Sequence, residues 1–88
     1  PFEVMRKITQ YFTTPDSEHK LDPSYEDTDA QAKPANVAIF KDLQKLQSVG
    51  LVVPVDEEFM YFAAMNSKSC RLTALGYQYW RLVKEKKL

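Results

Sequence analysis

The segment Leu43-Gln-Lys-Leu-Gln-Ser-Val-Gly-Leu-Val-Val53 limits what this chain can fold into more than any other stretch. Leu43, Leu46 and Val49 recur at three-residue steps, on one stripe of a helix. Gly50 stands where a helix is closed by a residue in the left-handed conformation. Leu51, Val52 and Val53 follow at once, apolar and mostly β-branched, as a buried strand requires. The chain is therefore expected to pass from helix to strand with no loop between them.

The spacing around this segment predicts the remaining elements. The central helix runs from Pro34 to Val49, with Pro34 acceptable at its first position. Alternatively, Asn36 caps it and it begins at Val37. Ile39, Phe40, Leu43 and Leu46 form one face, and Ala38, Lys41, Lys45 and Ser48 the other. Leu51 to Val55 reads as a strand, at an edge because of Pro54. Asp56-Glu57-Glu58 makes an acidic turn, Phe59 to Ala64 an aromatic second strand, Asn66 to Ser69 a polar loop, and Cys70 to Leu72 a last short strand. Thr73 caps a final helix reaching Lys86, with Leu75, Tyr79, Leu82 and Val83 buried and Trp80 at the edge. Gly76, about 1 kcal/mol worse than alanine inside a helix, points to the close approach of another backbone.

Upstream, Phe2, Met5, Ile8, Tyr11 and Phe12 mark a first helix, stopped by Thr13-Thr14-Pro15. Residues 13–33 read as a loop-rich acidic insertion anchored only by Leu21 and Tyr25. Within it, Ser24 to Ala32 supplies a short second helix, with Ser24 as cap and Glu26, Asp27 and Asp29 in its first turns.

Composition bounds the rest. At 88 residues the chain is one small domain, burying roughly 60–65% of its unfolded surface. A hydrophobic fraction of 44% argues against global disorder. The single cysteine, Cys70, excludes an internal disulfide and fits a reducing intracellular setting, nuclear or cytoplasmic. The longest apolar run, Phe59 to Met65, is far short of a membrane span. The first residue is Pro1 rather than Met, so the chain is read as a piece of a larger protein. There is no glycine-rich phosphate loop, paired-cysteine spacing or nucleophile elbow. His19, alone beside Glu18 and Asp22, falls short of the ligand count of a zinc site. No catalysis, metal, cofactor or small-molecule substrate is expected.

Net charge is zero but unevenly placed. Residues 1–60 hold six basic and eleven acidic side chains, a net of −5, and residues 61–88 hold six and one, a net of +5. A balanced chain is a poor overall match for nucleic acid, though a basic C-terminal third gives a local footprint.

A helix ending Leu46-Gln-Ser-Val-Gly50-Leu-Val, a short hairpin, and Leu72-Thr-Ala-Leu-Gly76 opening a last helix together resemble the winged helix-turn-helix family. The resemblance covers the last fifty or so residues best. It implies a single α+β domain over residues 1–88: a three-helix core, a short β-hairpin wing and a C-terminal helix packed across the first. In members that read DNA, the central helix enters the major groove. That places groove contacts at Ala35, Asn36, Val37, Lys41 and Lys45. A wing tip at Asn66–Ser69 would bring Lys68 and Arg71 to phosphates, whereas one at Asp56–Glu58 would be acidic and repel them. The expected role is a non-catalytic module binding duplex DNA or another nucleic acid in a regulatory protein. The alternative is a protein–protein interaction module, which the balanced charge, the acidic insertion and the small apolar Val37 and Ala38 suit at least as well.

Overall fold

The helix–glycine–strand segment forms as its sequence requires. A computed structural model describes residues 2–87. Its elements run α1 (Phe2–Arg6), α2 (Ile8–Tyr11), β1 (Glu18–Lys20), a 3-10 turn (Pro23–Tyr25), α3 (Pro34–Ser48), β2 (Val52–Val55), α4 (Met60–Met65), β3 (Ser69–Leu72) and α5 (Ala74–Lys84). Gly50 has φ +83°, the left-handed conformation. The Leu51 N–H donates to Leu46 O and the Gly50 N–H to Gln47 O, both at 2.9 Å. These two bonds are a Schellman closure, satisfying carbonyls that the end of α3 would otherwise leave open.

The three strands form one antiparallel sheet in the order β1-β3-β2. Pro54 therefore lies on an edge strand, where its missing N–H breaks no ladder bond. His19 pairs with Cys70 and Cys70 with Pro54; Glu18 pairs with Arg71 and Arg71 with Val53. This register puts Cys70, Leu72 and Val52 on the buried face and Glu18, Lys20, Ser69 and Arg71 on the opposite one. Against the buried face lie Ile8 from α2 and Phe12 just after it, Phe40, Leu43 and Leu46 from α3, and Trp80 from α5. The result is an α+β domain with one core.

Several sequence expectations need correction. The first helix is broken at Lys7, whose N–H bonds Val4 O three residues back, at 3.0 Å, instead of four. The expected helix at Ser24–Ala32 is absent. Asp22, not Ser24, accepts the capping N–H, and only the 3-10 turn forms before residues 26–33 continue as turns. The three-helix core is thus α1–α2, a single 3-10 turn and α3. The 13–33 stretch also contains a strand, β1, where loop was expected, and His19 sits in it. Asn36 is inside α3 rather than at its cap; Lys33 holds that position without a side-chain bond.

The wing is not a short hairpin. Phe59 to Ala64, expected as a strand, falls largely in a helix, α4, from Met60 to Met65. Met60, Ala63 and Ala64 are buried at helical spacing, and Met and Ala are strong helix formers. The aromatics that suggested a strand point outward instead: Phe59, Tyr61 and Phe62 are 55%, 43% and 48% exposed. The Asn66 side-chain amide donates to Glu57 Oε2 at 3.1 Å, tying the turn that leaves α4 to the bend that enters it.

The last helix is also rotated from expectation. Gly76 and Trp80 face the core, while Leu75 and Leu82 are exposed. The cause is Gly76 itself, whose backbone lies so close to β2 that an added Cβ would be 2.0 Å from Leu51 O. Thr73 caps the helix as expected, accepting from the Gly76 N–H at 2.9 Å.

Candidate nucleic-acid interface

The outward face of α3 is set by what its inward face buries. Phe40, Leu43 and Leu46 turn to the core, so Ala38, Lys41, Lys45 and Ser48 turn to solvent. Lys41 and Lys45 are one turn apart on the exposed side. Lys41 is 3.9 Å from Asp27, a pair in which both side chains are more than half exposed. Such a pair contributes about 0–1 kcal/mol and yields readily to a stronger anion. Among the described residues no carboxylate is paired with Lys45. Beside it runs a shallow groove of about 260 Å³ lined by Val4, Met5, Leu46 and Val49.

The other expected contacts are dispersed. Asn36 uses its amide on Ser24 Oγ at 2.9 Å, pinning the 3-10 turn to the start of α3. Val37 is half-buried and lines a small cavity with Tyr25, Phe40 and Lys41. Ala35 is exposed in the first turn. Lys68 is exposed just before β3, with its carbonyl accepting from the Leu21 N–H at 2.9 Å. Arg71 lies on the outer face of the sheet, away from α3, and donates to Leu72 O at 3.1 Å. Lys41 and Lys45 therefore form one surface, and Arg71 belongs to another.

Two polar clusters fix α3 and the sheet. Asp42, on the flank of α3, accepts from the Tyr11 hydroxyl at 2.5 Å and from Lys7 Nζ at 3.3 Å. Burial, then the hydrogen bond to Asp42 and its charge, push the Tyr11 phenol above its ordinary value of 10.0. The unfolded chain thus gives up this proton first, and the stability the phenol contributes is present below pH 10 and lost as pH climbs. Burial raises Tyr25 as well. We expect the denaturation midpoint to fall from neutral pH to above pH 10, and to fall less in Tyr11→Phe. Urea titrations of both proteins at the two pH values measure this; an equal fall in both would refute the Tyr11 assignment.

The second cluster surrounds His19. Nδ1 is 2.9 Å from Tyr11 O, which only accepts, so Nδ1–H donates there, and Nε2 is 3.3 Å from the Tyr25 hydroxyl. The ring is flanked edge-on by Tyr11, Phe12 and Tyr25. Both nitrogens are engaged by the protein, so His19 locks β1 to α2. Cys70, its partner across the sheet, is fully buried, and burial pushes its thiol up to about 12. It is a packing residue, not a reactive one.

Sequence reasoning missed α4 as a helix. The signal was present in Met60, Ala63 and Ala64 at helical spacing, masked by the strand preference of the aromatics between them. Among the described residues no helix is long and apolar enough to cross a membrane, and no group of three potential metal ligands is found. Comparison with protein-family models, curated proteins and solved structures gives no match to this chain.

Proposed function

We propose that this chain is a non-catalytic binding module of winged-helix type that receives duplex DNA or another nucleic acid against the outward face of α3. The observation that carries the reading is the pair Lys41 and Lys45, one turn apart on that exposed face, between the small residues Ala38 and Ser48. Small neighbours let a phosphate backbone come close, and two flexible ammonium groups neutralise phosphates without demanding a fixed geometry. The order of elements supports it: N-terminal helices, the short strand β1, a central helix closed by glycine, two paired strands joined through α4, then a capped last helix. Binding of this kind weakens steeply with salt, because each neutralised phosphate releases counterions. The double variant Lys41→Glu/Lys45→Glu is expected to bind a mixed-sequence duplex at least about tenfold more weakly at low salt, with the salt slope reduced by about two. Fluorescence anisotropy reads both quantities. Unchanged affinity in a folded double variant would remove the α3 reading.

A second reading, a protein-contact module, is favoured by α4. Its exposed Phe59, Tyr61 and Phe62 follow Asp56, Glu57 and Glu58. A tip that is acidic and aromatic suits a protein surface and is disfavoured against phosphates.

A further inference from the structure

We propose that α4 docks on the basic C-terminal helix of a second copy of this chain. The proposal rests on the protein-contact reading of α4, names its partner, and is independent of the α3 reading. Phe59 and Phe62 have ring centroids 6.4 Å apart, and Tyr61 meets Phe62 edge-on at 5.2 Å. Three large side chains, each 43–55% exposed, thus form one continuous apolar knob. Asp56, Glu57 and Glu58 precede it, so its margin is negative.

The matching surface is on the same molecule. Leu75 and Leu82 are two turns apart on one flank of α5, 56% and 39% exposed. Arg81 precedes Leu82, Lys84 lies on the other flank with its Nζ 5.9 Å from the Trp80 ring, and Lys86 and Lys87 follow at the end of the helix. Glu85 engages Arg81 at 3.9 Å and Lys87 at 3.3 Å, which lowers but does not cancel the positive charge of this end. The acidic margin of the knob and the net positive end of α5 are thus of opposite sign.

The two surfaces lie at opposite ends of the strands that separate them. α4 connects the end of β2 to the start of β3, whereas α5 leaves the end of β3. The contact therefore joins two molecules. It is heterologous: each copy offers a knob and a stripe, and a dimer leaves one of each unused. Association is expected to grow with concentration beyond dimer, and to weaken with salt as the charged margins are screened.

Complementation tests the pairing. Phe62→Glu removes the knob and Leu82→Glu the stripe, both at exposed positions, and circular dichroism checks that each protein folds. In sedimentation equilibrium at low salt, the unaltered chain is expected to self-associate and each variant alone to do so about tenfold more weakly or not at all. An equimolar mixture should recover association and stop at a dimer, because the intact stripe of one variant meets the intact knob of the other. A Phe62→Glu protein that dimerises as tightly as the unaltered chain would show a stripe-to-stripe contact and overturn the proposal, as would a mixture that associates no more tightly than either variant alone. An unaltered chain that stays monomeric at the highest soluble concentration overturns it too. Solvent paramagnetic relaxation on the dilute monomer separates that failure from failure of the protein-contact reading. Rings exposed in a chain that never associates remove only the self-contact, whereas rings shielded in the monomer remove the docking surface.

Discussion

Gly76→Ala is expected to destabilise the fold by about 2 kcal/mol or more, although alanine is the better helix former. In an open helix the change would gain about 1 kcal/mol. Here the new methyl would be 2.0 Å from Leu51 O, 3.0 Å from its carbonyl carbon and 3.3 Å from its Cα. All three are backbone atoms of a buried residue, so no side chain can rotate away. Relief requires α5 to lift from the start of β2. That movement strains the Thr73 N–H bond to Leu51 O at 3.0 Å and the Thr73 hydroxyl bond to Gly50 O at 2.6 Å. At about 4–8 °C per kcal/mol for a domain of this size, the thermal midpoint should drop by on the order of 10 °C. Gly50→Ala is the informative companion. It meets nothing within 4 Å but must hold φ +83°, so it should cost only about 1–2 kcal/mol. Thermal scans by circular dichroism rank the two, and a Gly76→Ala midpoint near that of the unaltered chain would show that α5 can shift freely.

Trp80→Ala is expected to be more severe. The indole is 9% exposed, packs in the core, and donates its N–H to Phe12 O at 2.7 Å. Truncating a buried Trp to Ala costs about 3–5 kcal/mol. A domain of this length has roughly 4–13 kcal/mol in total, so the variant should lose between about a quarter and all of its stability. Trp80→Phe separates the two contributions. It keeps most of the packing but leaves the carbonyl of buried Phe12 without its donor, which costs about 1–3 kcal/mol. Urea denaturation of the two variants should therefore give midpoints in the order unaltered, Phe, Ala. Coincident Phe and Ala midpoints would mean that the hydrogen bond, and not the ring volume, dominates.

How far the fold was legible depended on how local its determinants were. The α3–Gly50–β2 junction and the Thr73 cap were legible because a helix end or start is written within a few residues. Gly76 was legible as a sign of close approach, but not its consequence. Turning Gly76 inward carries Trp80 with it and pushes Leu75 and Leu82 out, which no periodicity count on α5 alone could reveal. The strand β1 was hidden because Glu18-His19-Lys20 has no strand composition. It is held by pairing with β3 and by the bonds of His19 to Tyr11 and Tyr25. At α4, aromatic residues argued for a strand, while burial of Met60, Ala63 and Ala64 decided for a helix. Of the expected contact residues, Lys41 and Lys45 were placed together by helical spacing alone. Arg71 was separated from them by the pleat of β3, and Asn36 was drawn inward by Ser24, a partner twelve residues away.

The pairing of β1 with β3 sets an order of events during synthesis. Glu18 meets Ser69 across 51 residues, and Phe12 meets Trp80 across 68. Ile8, Phe12 and Leu21 are made first and gain part of their cover from α3, but β3 and Trp80, which complete it, come from the last third of the domain. The β1–β3 pairing and the bond of Trp80 to Phe12 therefore close only after β3 and α5 have been made. Within this domain, the elements made first are thus among the last to be completed.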